Sequence, residues 1–448
     1  MTATMRLFTI EARRSVALWF CPLIAMVACW YANDRLTSVG VVLWRHSSIS
    51  IGESLIILAP LMGGVAAWAA GRDQRRGMGD LLAMTPRPIS QRTLAEWSGM
   101  LIWGVVAYAI VGAYVVVMTV RDDAWGSPSA APVIIGLLAI VAASAIGYLI
   151  GSVIPGRFVP PLVPIGLFLA IGLLNTDWFL DGPVSLLSPW TLVDRQLFLD
   201  SDQVFYAPPP LYPLPMTLWL SGLTGMALTG VVLASRREIP VWSALAGSML
   251  VATAGATLLL SAYDDRYVDG APWERGEAAS YTPLCVERSV PVCVHPAFER
   301  YLSAHADRID DLIQPVAGLP GAPVRVEQLP YTYGVLPDGT LATGPYGVEM
   351  AALALVQPPV APEPGWNLHY DLQPEQIAVA IWLAQRVEDQ AFFRWLLNGQ
   401  LRDTQATEAA IYAAVDRFNA LDPAEQRRWF DAHYADLRAG RLTLDDLP

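Results

Sequence analysis

The sequence predicts a polytopic α-helical membrane protein with about seven transmembrane helices and an extracytoplasmic α+β domain at its C-terminal end. Of 448 residues, 54% are hydrophobic and 16% are charged, against about 25% charged in ordinary soluble domains. Charge is also unevenly distributed: residues 264–448 hold 27 acidic residues and 14 arginines, whereas residues 1–263 hold 14 and 15. A nearly neutral apolar part therefore precedes an acidic part, and an acidic chain is a poor partner for nucleic acid.

Seven apolar segments approach the roughly 20 residues that a bilayer-spanning helix needs. They are residues 16–33, 53–71, 97–119, 132–154, 159–175, 214–234 and 241–262. The fifth segment is the shortest and contains Pro160, Pro161 and Pro164. Between the fifth and sixth, WFLDGPVSLLSPW carries Trp178 and Trp190 at its ends, which indicates either a re-entrant or interfacial segment or a loop packed on the outer domain.

Arginine counts in the short loops predict the orientation, because cytoplasmic loops carry the excess of basic residues. With the N-terminus inside, the inner pieces 1–15, 72–96, 155–158 and 235–240 hold eleven arginines, and the outer loops hold four. Seven crossings then place residue 264 onward outside. The expected location is a bacterial plasma membrane, with a cytoplasmic N-terminus and an extracytoplasmic C-terminal domain.

Two cysteines in the acidic part also indicate that residue 264 onward lies outside the cytoplasm. Cys285 and Cys293 occur as CVERSVPVC, and seven intervening residues can close a local disulfide loop, which forms in oxidising compartments. Two unrelated thiols are the alternative. Cys21 and Cys29 lie in the first apolar segment, where cysteine behaves as a small hydrophobe.

The C-terminal part divides into two predicted regions after a polar tether at 264–280. Short apolar runs separated by Pro and Gly predict an α/β region over 264–372, with one helix in HPAFERYLSAHADRIDDLIQPV, and 373–448 is helical in pattern. In LDPAEQRRWFDAHYADLRAG, Asp422 is placed to cap a helix, Pro423 suits its first turn, Glu425 can reach back, and Gly440 ends it.

The sequence offers few candidates for catalysis. It contains no HExxH, GxSxG or CxxC pattern, and we expect no catalytic, cofactor or metal residues in this chain. His295 and His305 could share a metal with Asp307 or Asp310, although surface or capping roles are the more ordinary interpretation. The predicted spans also lack interior Asp, Glu, His or Arg, which argues against ion-coupled transport.

All 29 basic residues are arginine. A Walker A loop needs a lysine for the nucleotide phosphates, so any ATP and Mg²⁺ must be bound by another subunit.

The loop after the second segment, RRGMGDLLAMTPRPISQRTL, resembles the cytoplasmic loop of ABC-2-type exporter permeases. The resemblance follows the order of a basic turn, a Leu-Leu helix, and Thr-Pro with a further basic residue, and the residues are Arg72, Arg75, Arg76, Met78, Leu81, Leu82, Thr85, Pro86 and Arg87. The N-terminal segment RLFTIEARRS and the segment between the fifth and sixth spans add to it. The chain departs from the family in its seventh span, its outer domain and Gln74, where an acidic residue is common.

The resemblance implies an ABC-2-like transmembrane domain at 1–237, an additional helix at 238–263 and an extracytoplasmic domain at 264–448. It implies a non-enzymatic permease subunit that works with an ABC ATPase subunit and with a second permease copy or a paralogue. In that interpretation, loop 72–96 docks on the ATPase through Met78, Leu81 and Leu82, while the arginines contact acidic groups or lipid headgroups. Alternatively, those arginines serve topology alone.

Two other classes of function stay open at this point. One is a membrane-anchored sensor or scaffold whose outer domain binds a ligand. The other is a membrane-anchored enzyme with an outer active site around His295, His305 and Asp307.

Overall fold

The computed structural model describes residues 3–37, 42–75, 89–154, 156–174, 183–190, 204–205, 213–235, 239–261, 281–329, 332–343, 348–360, 372–387 and 408–448. The chain divides into two compact units, which are described separately. Unit 1 comprises Met1–Asp200 and Pro208–Gly270, and unit 2 comprises Ser201–Ala207 and Ala271–Pro448. The predicted tether at 264–280 lies outside the described residues.

Unit 1 is helical where it is described. Its helices are α1 (Ala3–Arg14), α2 (Ala17–Thr37), α3 (Trp44–Glu53), α4 (Leu55–Ala70), α5 (Arg72–Arg75), α6 (Ile89–Arg121), α7 (Ala130–Val153), α8 (Val159–Leu173), α9 (Pro213–Ser235) and α10 (Ile239–Ser261). A short 3₁₀ helix, Pro183–Leu187, lies within the segment that the sequence marked as re-entrant or loop. Each of the seven predicted spans therefore corresponds to a helix.

Not every helix of unit 1 is long and apolar enough to cross a membrane. Within the described residues, five stretches are long and apolar enough to cross a membrane: Trp44–Ala70, Ser90–Arg121, Ala130–Val153, Pro213–Ala234 and Val241–Ser261. The count becomes six if Phe8–Arg14 and Ala17–Leu36, which meet at 64°, form one broken span. Helix α8 has only 15 residues, about 22 Å at 1.5 Å per residue, and falls short of the roughly 30 Å hydrocarbon core. Five or six spans thus replace the predicted count of about seven.

The second span begins earlier than the sequence predicted. Helices α3 and α4 together make the 27-residue span Trp44–Ala70, whereas the apolar pattern placed its start at residue 53. The added turns contain serines whose hydroxyls donate to the carbonyl four residues back, as in Ser47 to Leu43 at 3.1 Å and Ser50 to His46 at 3.1 Å. Polar side chains satisfied within their own helix are compatible with an apolar environment, although they lower the hydropathy on which the prediction rested.

Small residues let α4 and α7 approach with backbone against backbone. A Cβ atom added to Gly147 would overlap the backbone of Gly63, and one added to Gly151 would overlap that of Ala67. We call these four residues the glycine seam. Helices α9 and α10 pack in the same manner, since a Cβ on Gly222 would overlap Ala252. Small residues at such contacts are typical of helix pairs in membranes.

Unit 2 contains a five-stranded mixed sheet. Its strands are β1 (Leu284–Glu287), β2 (Pro291–Val294), β3 (Arg325–Glu327), β4 (Gly334–Val335) and β5 (Thr340–Ala342), in the order β1-β2-β3-β5-β4. The β1–β2 and β4–β5 pairs are antiparallel and the two central pairs are parallel. The predicted disulfide is present: Cys285 and Cys293 are directly opposite each other on β1 and β2.

Helices cover this sheet and enclose a buried core. They are α11 (Leu302–Ile313), α12 (Val348–Leu355), α13 (Pro374–Ala384), α14 (Glu408–Ala420) and α15 (Pro423–Arg438). Tyr333, Phe418 and Phe430 are among its largest fully buried side chains. The N-terminus of α15 is as predicted, because Asp422 accepts from the backbone N–H groups of Ala424 and Glu425, both at 2.8 Å.

Candidate functional site

The predicted docking loop, residues 72–96, is described at its two ends, 72–75 and 89–96. Arg72 and Arg75 form the ends of α5. The other predicted loop residues lie outside the described part of the chain: Arg76, Met78, Leu81, Leu82, Thr85, Pro86 and Arg87. The candidate site is therefore described from the residues on either side of the undescribed segment 76–88, in α5 and at the start of α6.

Arg72 contacts two carboxylates from different helices. One guanidinium nitrogen, Nη2, lies 3.4 Å from Oε2 of Glu11 on α1 and 3.0 Å from Oε1 of Glu96 on α6. The other Glu96 oxygen accepts a hydrogen bond of 2.9 Å from the hydroxyl of Tyr148 on α7. These four residues, which we call the polar junction, link α1, α5, α6 and α7.

The polar junction is partly shielded from solvent. The side chain of Glu96 is 10% exposed, while those of Arg72 and Glu11 are 25% and 20% exposed. Ion pairs on an open surface contribute little, whereas shielded pairs lose much more when one partner is removed. With one positive and two negative groups, Arg72 is the member that prevents two carboxylates from repelling each other.

Neighbouring contacts fasten α1 to α6. The indole N–H of Trp103 donates to the carbonyl of Ala12 at 2.8 Å. A Cβ added to Gly99 would come within 2.9 Å of both Ala12 N and Glu11 Cβ, so this glycine allows α1 to lie directly on α6. Helix α1 is therefore packed on α6 at these contacts, and α2 follows it directly at an angle of 64°.

The side chain of Arg75 contacts Trp68, seven residues earlier in the chain. Its guanidinium lies 4.7 Å from the ring centroid of Trp68 and donates to the Trp68 carbonyl. Stacking on an aromatic face is a favourable position for arginine. Both described arginines of the predicted set thus have contacts inside this chain.

A second charged cluster lies near the start of the span Trp44–Ala70, where sequence reasoning expected no interior charge. Glu53 is fully buried, and its carboxylate lies 3.5 Å from the guanidinium of Arg35 on α2. Nε2 of the buried His46 lies 3.0 Å from the carbonyl of Arg35. The expectation that the spans lack interior ionisable residues is therefore wrong, because the span begins nine residues before Glu53.

In unit 2, the residues considered for an outer active site have structural contacts. Nδ1 of His295 accepts from the N–H of Ala297 at 3.1 Å and caps the 3₁₀ helix Pro296–Tyr301. Its ring packs against Phe205 and Tyr281, with centroids 5.2 and 4.5 Å away. Asp307 accepts from Arg288 at 2.8 Å. Among the described residues, no group of three His, Cys, Asp or Glu side chains could hold a metal ion.

Burial controls the protonation of both histidines. It lowers the pKa of His295 from 6.5 to about 4. Burial, followed by the positive charge of Arg308, lowers the pKa of His305 to about 4 as well. Removing an imidazolium from water is unfavourable, so both rings are neutral at pH 7.

Sequence reasoning missed Glu11, Tyr148 and the Arg35–Glu53 pair. Glu11 and Tyr148 are separated from Arg72 by 61 and 76 positions, and no local pattern relates residues that far apart. Glu53 lies at the first position of the predicted segment 53–71 and therefore looked like an edge residue. Ser47, Ser48 and Ser50 each donate to the carbonyl four residues back, and this four-residue relation is the signal that fits a helix continuing N-terminal to residue 53.

By helix length and hydropathy, the described chain is a multi-pass membrane protein with a disulfide-containing α/β unit. No protein-family model matches it, and no curated protein or solved structure shows a match either.

Proposed function

We propose that this chain is the membrane permease subunit of an ATP-driven exporter of the ABC-2 type, coupled to a separate ATPase subunit through loop 72–96. The observation that carries the proposal is the polar junction, in which Arg72 joins α1, α6 and, through Glu96, α7. The loop leaves α5 after Arg75, three positions beyond Arg72, and returns at the start of α6, so a partner that holds this loop could displace the helices that the polar junction links.

The contacts of the two arginines refine which residues dock. Arg72 and Arg75 contact groups of this chain, and they serve to hold the base of the loop. Docking on the ATPase then falls to the apolar residues Met78, Leu81 and Leu82. In this arrangement the apolar residues would provide the affinity for the ATPase. The ion pairs of Arg72 would connect the loop to the helices of unit 1.

Other features support the same assignment. The absence of lysine excludes a standard Walker A loop from this sequence, which supports the placement of ATP and Mg²⁺ on a separate subunit. The excess of arginine in loop 72–96 favours the cytoplasmic side, where an ATPase subunit would be found. Two copies of this chain, or this chain and a paralogue, would form the path, and the outer domain would lie at its exit.

The experiment is affinity purification of the intact chain from its native membranes after mild cross-linking, followed by identification of partners. We expect an ABC ATPase among them. The double substitution Leu81→Ala with Leu82→Ala keeps every arginine and should lower ATPase recovery at least tenfold, as expected for the loss of two interface anchors.

Leu250→Ala provides the matched control, because Leu250 is 72% exposed on α10 and lies outside loop 72–96. It should leave recovery unchanged. Recovery of an ATPase whose nucleotide-dependent activity survives deletion of residues 78–85 would overturn the proposed coupling, and recovery of no ATPase would overturn the proposed function.

A further inference from the structure

A cavity of about 420 Å³ lies between α3, α6 and α7. It is formed within unit 1 and is separate from the polar junction. Its volume falls within the range of roughly 300–1,000 Å³ that is usual for small-molecule sites. Its lining comes from one side of α3, part of α6 and the first turns of α7, and includes Ser47, Ser48, Ile51, Tyr108, Val116 and Ile134.

The cavity has a buried floor and an exposed rim. Ser47, Ser48, Ile51 and Tyr108 are nearly inaccessible, at 2–6% exposure. By contrast, Val116 on α6 and Ile134 on α7 are 41% and 49% exposed. The cavity therefore opens sideways between α6 and α7, and in a membrane-spanning bundle a side opening leads to the hydrocarbon of the bilayer.

The hydroxyl groups of the floor are directed to carbonyls of the protein. Ser47 donates to Leu43 at 3.1 Å, Ser48 donates to Trp44 at 2.9 Å, and Tyr108 donates to Val133 at 2.8 Å. A hydroxyl has one proton, so none of the three has a second proton for a ligand. The floor therefore offers a ligand no free hydroxyl proton. A hydrocarbon chain, which accepts no hydrogen bond, suits such a surface.

The depth of the cavity fits one leaflet. Its lining on α6 runs from Tyr108 to Val116, about 12 Å at 1.5 Å per residue. The other walls are the first residues of the spans Trp44–Ala70 and Ala130–Val153. On α6 the lining stops at Val116, five residues before the end of its span at Arg121. The cavity thus lies near the ends of three candidate spans, and its length along α6 is somewhat less than half of the roughly 30 Å hydrocarbon thickness.

We propose that this cavity binds one hydrocarbon chain of an amphiphile, which enters from the bilayer between α6 and α7 and keeps its polar head at the rim formed by Pro128, Ser129 and Ala130. Two sources can supply such a chain: the acyl chain of a bilayer phospholipid, or a free single-chain amphiphile. This binding is independent of ATP-driven export and is measured without an ATPase.

Gly112 provides a direct means to fill the cavity. It lines the cavity, and a Cβ added there would meet only Cγ2 of Ile51, at 4.0 Å. Gly112→Leu therefore fills the space without a clash at the first atom. Gly166→Leu is its control, since no atom lies within 4 Å of a Cβ at Gly166 on α8. Val116→Trp narrows the rim, and its control is the neighbouring Val117→Trp, because Val117 is 62% exposed and is not part of the lining.

The test uses the intact chain in lipid nanodiscs with two photoreactive probes. One is a phosphatidylcholine with a diazirine on its acyl chain, and the other is a long-chain fatty alcohol with the same diazirine. Cross-links are mapped by mass spectrometry, and the exposed α8 residues Leu162, Ile165 and Phe168 report ordinary contact with surrounding lipid.

For the unsubstituted chain we expect cross-links on residues 108–116 at least threefold above those on α8. Gly112→Leu and Val116→Trp should each remove this excess, and both controls should retain it. If unlabelled fatty alcohol displaces the labelled phospholipid, the ligand is a single-chain amphiphile; if labelling by the phospholipid persists, the ligand is a bilayer lipid chain.

Two results would overturn the proposal. One is equal labelling of residues 108–116 and α8, which would mean general contact with lipid only. The other is an excess that neither Gly112→Leu nor Val116→Trp reduces, because the probe would then lie outside the cavity. Thermal unfolding of each variant establishes that it is folded before labelling is compared.

Discussion

At the scale of single residues, Arg72 decides the electrostatic balance of the polar junction. It is the positive group between the carboxylates of Glu11 and Glu96. Arg75, three positions later, is stacked on Trp68 and contacts no acidic group in the described ion pairs. The two arginines look equivalent in the sequence, yet they should respond differently to substitution.

Arg72→Gln should destabilise the intact chain by about 1–2 kcal/mol, because two partly shielded carboxylates lose their counter-ion; the figure is reduced from that of a fully buried pair to allow for solvent. Arg75→Gln should have a smaller effect. The measurement is thermal unfolding in detergent. Adding Glu96→Gln to Arg72→Gln should recover part of the loss, since one of the repelling charges is removed. Equal effects of the two arginine substitutions would contradict this assignment.

His295 makes the stability of unit 2 depend on pH. Its pKa is about 4 in the folded chain and about 6.5 in an unfolded one. Above pH 6.5 neither state binds the proton. Between pH 6.5 and 4 only the unfolded state does, so stability is lost as the pH falls through this window.

We expect the unfolding free energy to fall by about 1–3 kcal/mol for His295 between pH 7 and 4. His295→Asn keeps an acceptor for the capping hydrogen bond and should remove this part of the pH dependence. His305→Gln should remove a comparable part, because its pKa is lowered similarly. Thermal unfolding at pH 7 and 5 measures both, and an unchanged pH dependence in His295→Asn would show that the ring does not contribute.

At the scale of secondary-structure elements, the glycine seam is the closest contact between α4 and α7. A larger residue at Gly147 would overlap the backbone of Gly63. A backbone cannot relieve such an overlap by changing rotamer, as a side chain can. A substitution there must separate the two helices.

Gly147→Leu should therefore destabilise unit 1 by at least about 2–3 kcal/mol through overpacking, or abolish recovery of monodisperse protein. Gly247→Leu on α10 has no atom within 4 Å of its added Cβ. It should keep or slightly raise stability, since leucine is the better helix former. Size-exclusion profiles and thermal unfolding compare the two, and similar behaviour of both variants would refute the close contact.

The elements that could be predicted from the sequence are those specified by neighbouring residues. Asp422, Pro423 and Glu425 lie within four positions and correctly predicted the start of α15. Cys285 and Cys293 correctly predicted a local disulfide. The start of the second span was missed because the hydrogen bonds that neutralise Ser47 and Ser50 run to backbone carbonyls, and hydropathy does not register such bonds.

The candidate site could be predicted only in part, for a different reason. The basic cluster at residues 72–76 is visible in the sequence, but the partners of Arg72 are 61 and 24 positions away. Many acidic residues could have been its partner on sequence grounds alone. Tertiary packing of α1 on α6 selects Glu11 and Glu96, and that selection depends on Gly99 and Trp103.

At the scale of the whole molecule, the side on which unit 2 lies depends on the number of crossings, which is set by whether α1 and α2 form one broken span and whether α8 crosses. The 15 residues of α8 reach about 22 Å, which is enough only if the bilayer thins locally or its ends are extended by flanking residues. An odd number of crossings places unit 2 on the side opposite the N-terminus, and an even number places both on one side.

We expect unit 2 to be extracytoplasmic, as the arginine distribution and the disulfide suggest. The test replaces Cys21 and Cys29 with alanine, introduces a cysteine by Asp416→Cys on α14, and treats intact cells with a membrane-impermeant maleimide. Labelling of intact cells is the expected result. Labelling only after permeabilisation would place unit 2 inside and would show that an even number of helices crosses. Arg6→Cys on α1 should show the opposite pattern.

The glycine seam also limits how unit 1 can change shape. Where two helices are in backbone contact, no side chain lies between them that could change rotamer and let them separate or slide. We therefore expect α4 and α7 to move together, and the Gly222–Ala252 contact joins α9 to α10 in the same way. Unit 1 then contains two helix pairs that we expect to move as units. If the proposed coupling holds, a displacement of loop 72–96 would reorient such pairs as whole bodies, and α1 would change its angle to α2 at the 64° bend between them.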